Sequence, residues 1–499
     1  MIGRRAFLTG AGAGAAAVVV GFDPLGGGWV TRAEAAARPE RSSFARVPEL
    51  DGELALDAAS RDAVTTDLGN IVHQRPRAVL RPGSVRDVSR MVRFCREHRV
   101  PVAPRGQAHT TYGQGLADGL VIEMRSLRRI HALTADRAEV DAGIHWMELA
   151  KAAFARTPRR TPPVLTGYTQ LTVGGTLSVG GIGGIVGGLD SGLQVDHVRE
   201  LEVVTGTGEV VRCSRRRRSD LFDAVLGGLG QCGIITKAVL DLVPAKERAR
   251  TYLLGYDDNA RFFRDLRILI ERPGIDHVYA EFTSAGTSPT YTIHATVFHE
   301  PAAPPKDGPL LAGVSATPEI QDTGYLEYVF SIDTLIDEVR ATQGWDRLVK
   351  PWFDVWLPGE TVERYLGDVL KTLTPKDIGP LGAGLLYPQR RSEKGRPLPR
   401  VPEAGASPWM FVIDINTVAE GPDVEPGYVA EMLARNERLY ARTRDEYGGT
   451  LYPIGSVPMT ARDWRAHFGD VWPKLRAAKR RYDPDGVLTP GQGVFGHRD

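Results

Sequence analysis

The sequence predicts an α+β protein built from two unlike parts, and three observations predict it. A strand, a helix and a second strand are written in order between residues 78 and 103, and a glycine-containing loop follows at once. A dense glycine cluster occupies residues 174–192. Beyond residue 246 the pattern changes to aromatic-rich strands alternating with helical runs. The chain has 499 residues, enough for several domains. Lys and Arg number 62 against 61 Asp and Glu, a net charge of +1. That excludes a nucleic-acid binder built on a broad basic face and an acidic disordered solubiliser. The cysteines are Cys95, Cys213 and Cys232. Three cannot make a disulfide framework, and none stands at zinc spacing, so no metal site is expected. After residue 37 no apolar run approaches the roughly 20 residues a membrane span needs, so no stable membrane insertion is expected either.

The first element reads as an address. Arg4-Arg5 precede Phe7-Leu8 and a weakly apolar Gly/Ala/Val stretch to Val20, and Ala33, Ala35, Ala36 and Ala37 give a small-residue cleavage context. This is the pattern of a twin-arginine export signal over residues 1–37, removed from a secreted or extracytoplasmic protein. The recurring glycines make a poor buried helix or anchor. That route carries folded proteins, so the twin-arginine machinery is an expected partner and an inserted cofactor an early expectation.

Residues 38–60 are a polar lead-in. Ala78-Val79-Leu80 is a short apolar strand. Ser84, with Asp87 three residues on, caps a helix whose Val85, Val88, Val92 and Cys95 share one face. Val100–Ala103 is the next strand, and Pro104 to Gln114 is the loop after it. A parallel β-α-β unit with such a loop is a common place to hold a phosphorylated cofactor. In the glycine cluster, Leu171, Val173, Leu177, Val179, Ile182, Ile185 and Val186 are interleaved, which favours a buried cofactor cradle over a polar linker. No Gly-Lys-Ser/Thr follows, and no G-x-G-x-x-G turn opens a helix. Leu201–Val204 and Glu209–Arg212 flank Thr205-Gly206-Thr207-Gly208 as a β-hairpin. Arg215–Arg218 reads as a solvated loop beside it. Residues 246–440 form a separate α+β domain, with strands at Tyr291–Phe298 and Met410–Ile415 and loops at Pro301–Pro309 and Arg391–Pro408.

Five blocks together resemble cytokinin dehydrogenases, within the wider flavoprotein group of p-cresol methylhydroxylase and vanillyl-alcohol oxidase. They are Thr66–Asn70; Arg105–Thr110 with Gly113-Gln114; Leu171–Ser178; Asp220–Gln231 with Gly233–Thr236; and Trp464–Gly469, Tyr482–Pro484 and Leu488–Phe495. Pro351-Trp352, Pro358 and Tyr387-Pro388 are similar to landmarks of that family's substrate domain. The resemblance implies a two-part FAD-binding domain of the p-cresol methylhydroxylase type, residues 60–245 closed by 441–499, with an inserted α+β substrate domain at 246–440. It implies FAD as cofactor, covalently attached through His109. Arg105, Gly106, Gln107 and Ala108 would turn backbone N–H groups to the pyrophosphate, joined by Thr172, Gly175 and Ser178. Ile235 would lie against the cofactor. Gln114, Tyr452 and Gln492 match positions that touch the flavin or its phosphates. Ala108 stands where the family usually has Gly, and Thr110 replaces Ser while keeping the hydroxyl. No cysteine lies in the 167–192 region, so a single link is expected.

One departure matters for chemistry. Gly167 stands where the family places the aspartate that accepts the substrate's proton, and the family's glutamate context is displaced to Tyr279-Ala280-Glu281. General-base help is worth about 10²–10⁴-fold in rate. The resemblance therefore implies an exported FAD-dependent oxidoreductase that oxidises a small organic amine or alcohol and passes electrons to O2 or another acceptor. The alternatives are a true cytokinin dehydrogenase with another base, for which Glu281 and Tyr387 are the nameable candidates, and a flavin-binding protein with redirected catalysis.

Overall fold

Ala78–Arg81 buries Ala78, Val79 and Leu80 in succession, as a strand covered on both faces must. It pairs in parallel with Leu120–Glu123, which pairs in parallel with Val102–Arg105, and Glu53–Ala55 adds an antiparallel edge. The helix Val85–Glu97 connects Ala78–Arg81 to Val102–Arg105 and buries Val88, Met91, Val92 and Cys95. The expected strand, helix and strand are therefore present. This computed structural model describes residues 18–24, 26–37, 45–183, 185–186, 188–283 and 289–496. Arg4 and Arg5 lie outside the described residues, as do Gly184 and Gly187 of the glycine cluster.

The capping box expected at Ser84 and Asp87 does not form. Ser84 Oγ donates instead to Asp51 Oδ2 at 2.6 Å. Asp87 accepts the backbone N–H groups of Asp51, Gly52 and Gly83, each at 2.8 Å. The Gly52 and Gly83 loops approach so closely that a Cβ on Gly52 would lie 2.2 Å from the Arg81 carbonyl. That contact delivers three free donors to one carboxylate, which outbids a single cap.

The second sheet is antiparallel, in the order Val210–Ser214, Val198–Val204, Ile234–Asp241, Arg137–Asp141, Ile130–Leu133. The expected hairpin is its first pair, and Arg215–Arg218 form an exposed turn after it. The third sheet has eight antiparallel strands, ordered Glu319–Gly324, Arg248–Tyr256, Thr290–His299, His277–Thr283, Ala383–Arg390, Trp409–Asn416, Phe353–Pro358, Thr450–Leu451. Side chains alternate in direction along each strand. Val278, Ala280, Leu386, Ile413, Ile415 and Val355 form a fully buried core face. Helices Asn259–Ile270, Val362–Leu370 and Tyr428–Tyr447 pack on this sheet and on one another.

Helix Tyr428–Tyr447 runs across residue 440, and Leu451 still pairs with Val355, so the eight-stranded sheet and its helices take in residues past 440. The chain then returns. Val102 N–H donates to the Val487 carbonyl, and Thr489 N–H to the Val102 carbonyl, both at 2.8 Å. Buried Asp483 accepts the N–H groups of Val487 and Leu488 at 3.0 Å and pairs with Lys479 at 2.7 Å. The Tyr482–Pro484 and Leu488–Phe495 blocks are thus a closing latch on the first part.

Residues 18–37, which the sequence reading puts inside a leader, form strands Val19–Asp23 and Gly28–Thr31 and a short helix, Arg32–Ala37. Phe22 and Val30 are buried, and Trp29 stacks on Phe94 of the Val85–Glu97 helix at 5.7 Å. Among the described residues no helix is long and apolar enough to cross a membrane.

Candidate active site

A cavity of about 630 Å³ opens between the β-α-β unit, the glycine cluster and one face of the eight-stranded sheet. Its size is that of a pocket for a cofactor or small ligand. Every residue assigned to the cofactor from sequence lines it. Arg105, Gly106, Gln107, Ala108, His109 and Thr110 enter from the loop after Val102–Arg105, and Gln114 from the end of that loop. Thr172, Gly175 and Ser178 come from the short helix Val173–Val179 and its cap, and Ile235 from the strand Ile234–Asp241. Tyr452 and Gln492 arrive from the C-terminal segment, Glu281 and Tyr387 from the sheet, and Gly167 from a facing loop.

The His109 loop is held from behind by Asp67. Its carboxylate accepts the Gly113 N–H at 2.7 Å, the Gly69 N–H at 3.1 Å and the Thr110 hydroxyl at 3.1 Å. Burial outweighs these bonds and pushes Asp67 up to about 6. Thr110 therefore spends the hydroxyl that the sequence reading keeps for the flavin on shaping the loop. Arg105 turns its guanidinium to the Thr66 carbonyl at 2.7 Å, leaving its backbone toward the cavity. Gln114 likewise works on the protein: its amide donates to the carbonyls of Ile454 and Gly455 and accepts the Tyr112 N–H. It ties the C-terminal segment to the loop.

The two cradle loops touch. A Cβ on Gly106 would lie 2.1 Å from Thr172 Oγ1, so only glycine permits the approach. Thr172 Oγ1 also accepts the Gly175 N–H at 3.3 Å, and Ser178 Oγ donates to the Gly174 carbonyl at 2.7 Å. Gln492 Oε1 is buried with no partner among the described residues.

His109 is sandwiched by aromatic rings. Tyr168 stacks on it at 5.0 Å, and Trp352 meets it edge-on at 5.3 Å. Burial, then the charges of Lys350 and Arg340, push the imidazole down to about 3, so it is neutral at physiological pH. Lys350 itself is buried, with its amine on the carbonyls of Leu68, Trp345 and Leu348 at 2.6–3.1 Å. It stitches the first part to the substrate part beside His109.

Period-two alternation builds the roof. His277, Tyr279 and Glu281, then Ala383, Leu385 and Tyr387, then Asp414 and Asn416, then Asp354 all face the cavity. The register sets Glu281 opposite Leu385, Leu385 opposite Asp414, and Asp414 opposite Asp354, a row across four strands. Tyr387 Oη lies 3.9 Å from where a Cβ on Gly167 would stand. Gly167 is held in place by its neighbours: Asp333, on the helix Ser331–Gln343, accepts the N–H groups of Thr169 and Gln170 and the Thr169 hydroxyl. Of the two sequence candidates, Tyr387 is pushed far up by burial and by Asp414, Glu281 and Asp354, so it stays protonated. Glu281 stands at the rim, 47% exposed and 3.6 Å from His294 Nε2.

The sequence reading does not single out Asp354 and Asp414. Both are buried, and burial pushes both up; the Asp414 carboxyl raises Asp354 further. The available signal was an aspartate inside each of two otherwise apolar strands, Phe353–Pro358 and Trp409–Asn416.

Comparison with known proteins gives concordant matches. The family model described as an FAD binding domain matches residues 76–214, and that described as cytokinin dehydrogenase 1, FAD and cytokinin binding matches residues 311–495. An uncharacterized oxidoreductase, ORF5 in the fasciation locus of Rhodococcoides fascians, is 35% identical over 85% of this chain and 95% of its own. Cytokinin dehydrogenase 1 of Oryza sativa subsp. japonica is 32% identical over 94% of this chain and 96% of its own. The crystal structure of 6-hydroxy-D-nicotine oxidase from Arthrobacter nicotinovorans shares the fold, with a TM-score of 0.68 at 22% identity over 89% of this chain and 98% of that one.

The residues present fit FAD. Glycine-lined backbone, an orphaned buried acceptor at Gln492 and a neutral imidazole between aromatic rings converge on one cavity. The cradle holds Ala108 under strain, with φ +52° in the left-handed region. That conformation costs a residue with a Cβ roughly 1–2 kcal/mol. Ala108→Gly is therefore expected to raise the unfolding free energy by about 0.5–1 kcal/mol after glycine's own entropy cost, measured by denaturant titration. Ala108→Val should lower both stability and flavin content. A less stable Ala108→Gly protein would refute the strain.

Proposed function

The chain belongs to the cytokinin dehydrogenase family of FAD-linked oxidoreductases, and from that premise we propose that it is an exported enzyme oxidising a small organic amine or alcohol. The carrying observation is the division of the cavity. One wall holds every expected cofactor position, and the opposite wall is a sheet face of tyrosines and carboxylates. Bound FAD supplies the two-electron acceptor at which the C–H bond next to nitrogen or oxygen is oxidised, with O2 or another acceptor drawing the electrons off.

The chain's own residues do the rest. The backbone of 105–108 and of the Thr172–Ser178 turn receives the pyrophosphate. Trp352, Tyr168 and the apolar side of helix Ser331–Gln343 exclude water from the cavity. His109 makes the single covalent attachment. Its neutral, aromatic-walled imidazole supports this reading, because a protonated ring has no lone pair to form the bond. The three cysteines are buried elsewhere, with thiols pushed up to about 12 or beyond, which supports one link rather than two.

Gly167 puts no carboxylate where the resemblance expects one, so the family's substrate does not follow from its cofactor. A second reading, a true cytokinin dehydrogenase with its base elsewhere, is favoured by the match of residues 311–495 to the FAD- and cytokinin-binding model. Export rests on the twin-arginine pattern. The packing of Phe22 and Trp29 on Phe94 means that the precursor would fold with the end of its leader docked, and processing would have to release it.

Three outcomes test these readings. Protein precipitated in acid should keep its yellow colour and yield a flavin-bearing peptide containing His109, whereas His109→Ala should release all flavin to the supernatant. Anaerobic bleaching of the bound flavin should be weak or absent with isopentenyl-adenine-type cytokinins. Gly167→Asp, whose Cβ has room, should improve amine turnover within the roughly 10²–10⁴-fold that a general base contributes. Efficient cytokinin oxidation by the unmodified protein would establish the second reading. Finally, replacing Arg4 and Arg5 by Lys should trap precursor in the cytoplasm, and the mature chain should begin between residues 34 and 40; a secreted chain that keeps residues 18–31 would defeat the leader reading.

A further inference from the structure

Asp354 and Asp414 face each other across adjacent antiparallel strands, with both carboxyl groups on the cavity side. They are 0% and 5% exposed. Both carboxylate oxygens of Asp354 and Oδ1 of Asp414 have no donor. Among the described residues no Lys, Arg or His forms an ion pair with either. Gly455 closes the far side, since a Cβ there would lie 2.3 Å from Asp354 Oδ2. Two ionised carboxylates cannot share such an enclosure, so one proton sits between them and the pair carries one negative charge. The other titratable groups that feel their charge are Tyr387 from the neighbouring roof strand and Tyr452 from the C-terminal segment, and Glu281 and Tyr328 in turn act on Tyr387. None of these is a cation. Unsatisfied acceptors, one net negative charge and surrounding aromatic faces together describe a receptor for a cation bearing N–H donors.

From this geometry we propose that the Asp354–Asp414 pair binds a protonated aliphatic amine and takes its proton, standing in from the roof for the carboxylate absent at Gly167. The assignment rests on the oxidoreductase reading above and narrows its substrate to one class. The step balances. An ammonium N–H bond breaks, its electron pair stays on nitrogen, and an O–H bond forms on the free carboxylate oxygen. The pair goes from one negative charge to none, and the substrate from cation to neutral amine. Only the neutral amine has the lone pair that assists loss of hydride from the adjacent carbon. Tyr387 stays protonated on the same side of the cavity, its hydroxyl 3.9 Å from where a Cβ on Gly167 would stand.

The test uses the FAD-loaded protein with N-methylbenzylamine and N-methylbutylamine, each set against the ether of the same shape, benzyl methyl ether and butyl methyl ether. By calorimetric titration at neutral pH, at least one amine should bind about tenfold or more tightly than its ether. The preference should shrink in acid as the pair takes its second proton. The resting protein should show a protonated-carboxyl C=O band in the infrared that grows when amine binds. The double variant Asp354→Asn with Asp414→Asn removes a repelled buried pair, so it should keep its FAD and melt no lower, yet lose both the preference and the band. An amine preference that survives in the double variant, or no preference with either amine, overturns the proposal; so does the absence of the band from the unmodified protein, which decides the matter even should the variant fail to fold. These readouts need no turnover. Bleaching by alcohols alone would sink the pair and spare the oxidoreductase reading, whereas no bleaching by any amine or alcohol would sink that reading while the binding and infrared results still judge the pair.

Discussion

The cavity depends on a carboxylate that does not line it. Asp67 draws the Gly69 and Gly113 amides and the Thr110 hydroxyl onto one buried side chain, and so bends the loop that presents His109. An unmet buried donor costs about 1–3 kcal/mol, so three of them left without Asp67 would open the loop. The next residue extends the constraint. Leu68 gives its N–H to the Ala108 carbonyl and its own carbonyl to Lys350. Gly69 cannot be anything larger, because a Cβ there would lie 2.0 Å from the Thr111 carbonyl oxygen. A five-residue segment thus fixes the cofactor loop, the seam to the substrate part and the position of a buried lysine at once. Burial pushes Lys350 down to about 7, and the charge it keeps adds to the burial that holds the His109 imidazole neutral.

Across the cavity the organising force is different. The roof is a sheet, and what it presents is decided by register rather than by loops. Placing Asp354 opposite Asp414 is expensive, since desolvated carboxylates repel. It persists because the core face of the same strands, with Phe353, Val355, Ile413 and Ile415 fully buried, anchors the register against a slip that would turn every side chain over. The apolar face therefore holds the polar face in an arrangement that the polar face alone would not choose.

This contrast explains what the sequence made legible. The β-α-β unit and the 201–212 hairpin depend on residues near one another in sequence, so local patterns announce them. The pairing of residue 354 with 414 joins two strands sixty residues apart in number, and no local pattern encodes which positions meet. Asp87 was misread for a related reason. A capping box is a local rule, and it lost to donors brought in from Asp51 and Gly52 by tertiary contact. Thr110 and Gln114 line the cavity, but their polar groups are spent on Asp67 and on the Ile454–Gly455 backbone. Position followed from the motif; the direction of each hydrogen bond did not.

The two walls also differ in how they tolerate change. The cofactor wall works largely through main-chain N–H groups, which every residue but proline supplies, so Ala108 and Thr110 can depart from the usual residues while the cradle keeps its shape. The roof works through side chains, where a single replacement alters the charge that meets the substrate. A fold of this kind can hold its cofactor constant while the groups that face its substrate change, because loop and roof reach the same cavity from separate elements. That physical asymmetry is why resemblance in such a chain carries the cofactor further than it carries the substrate.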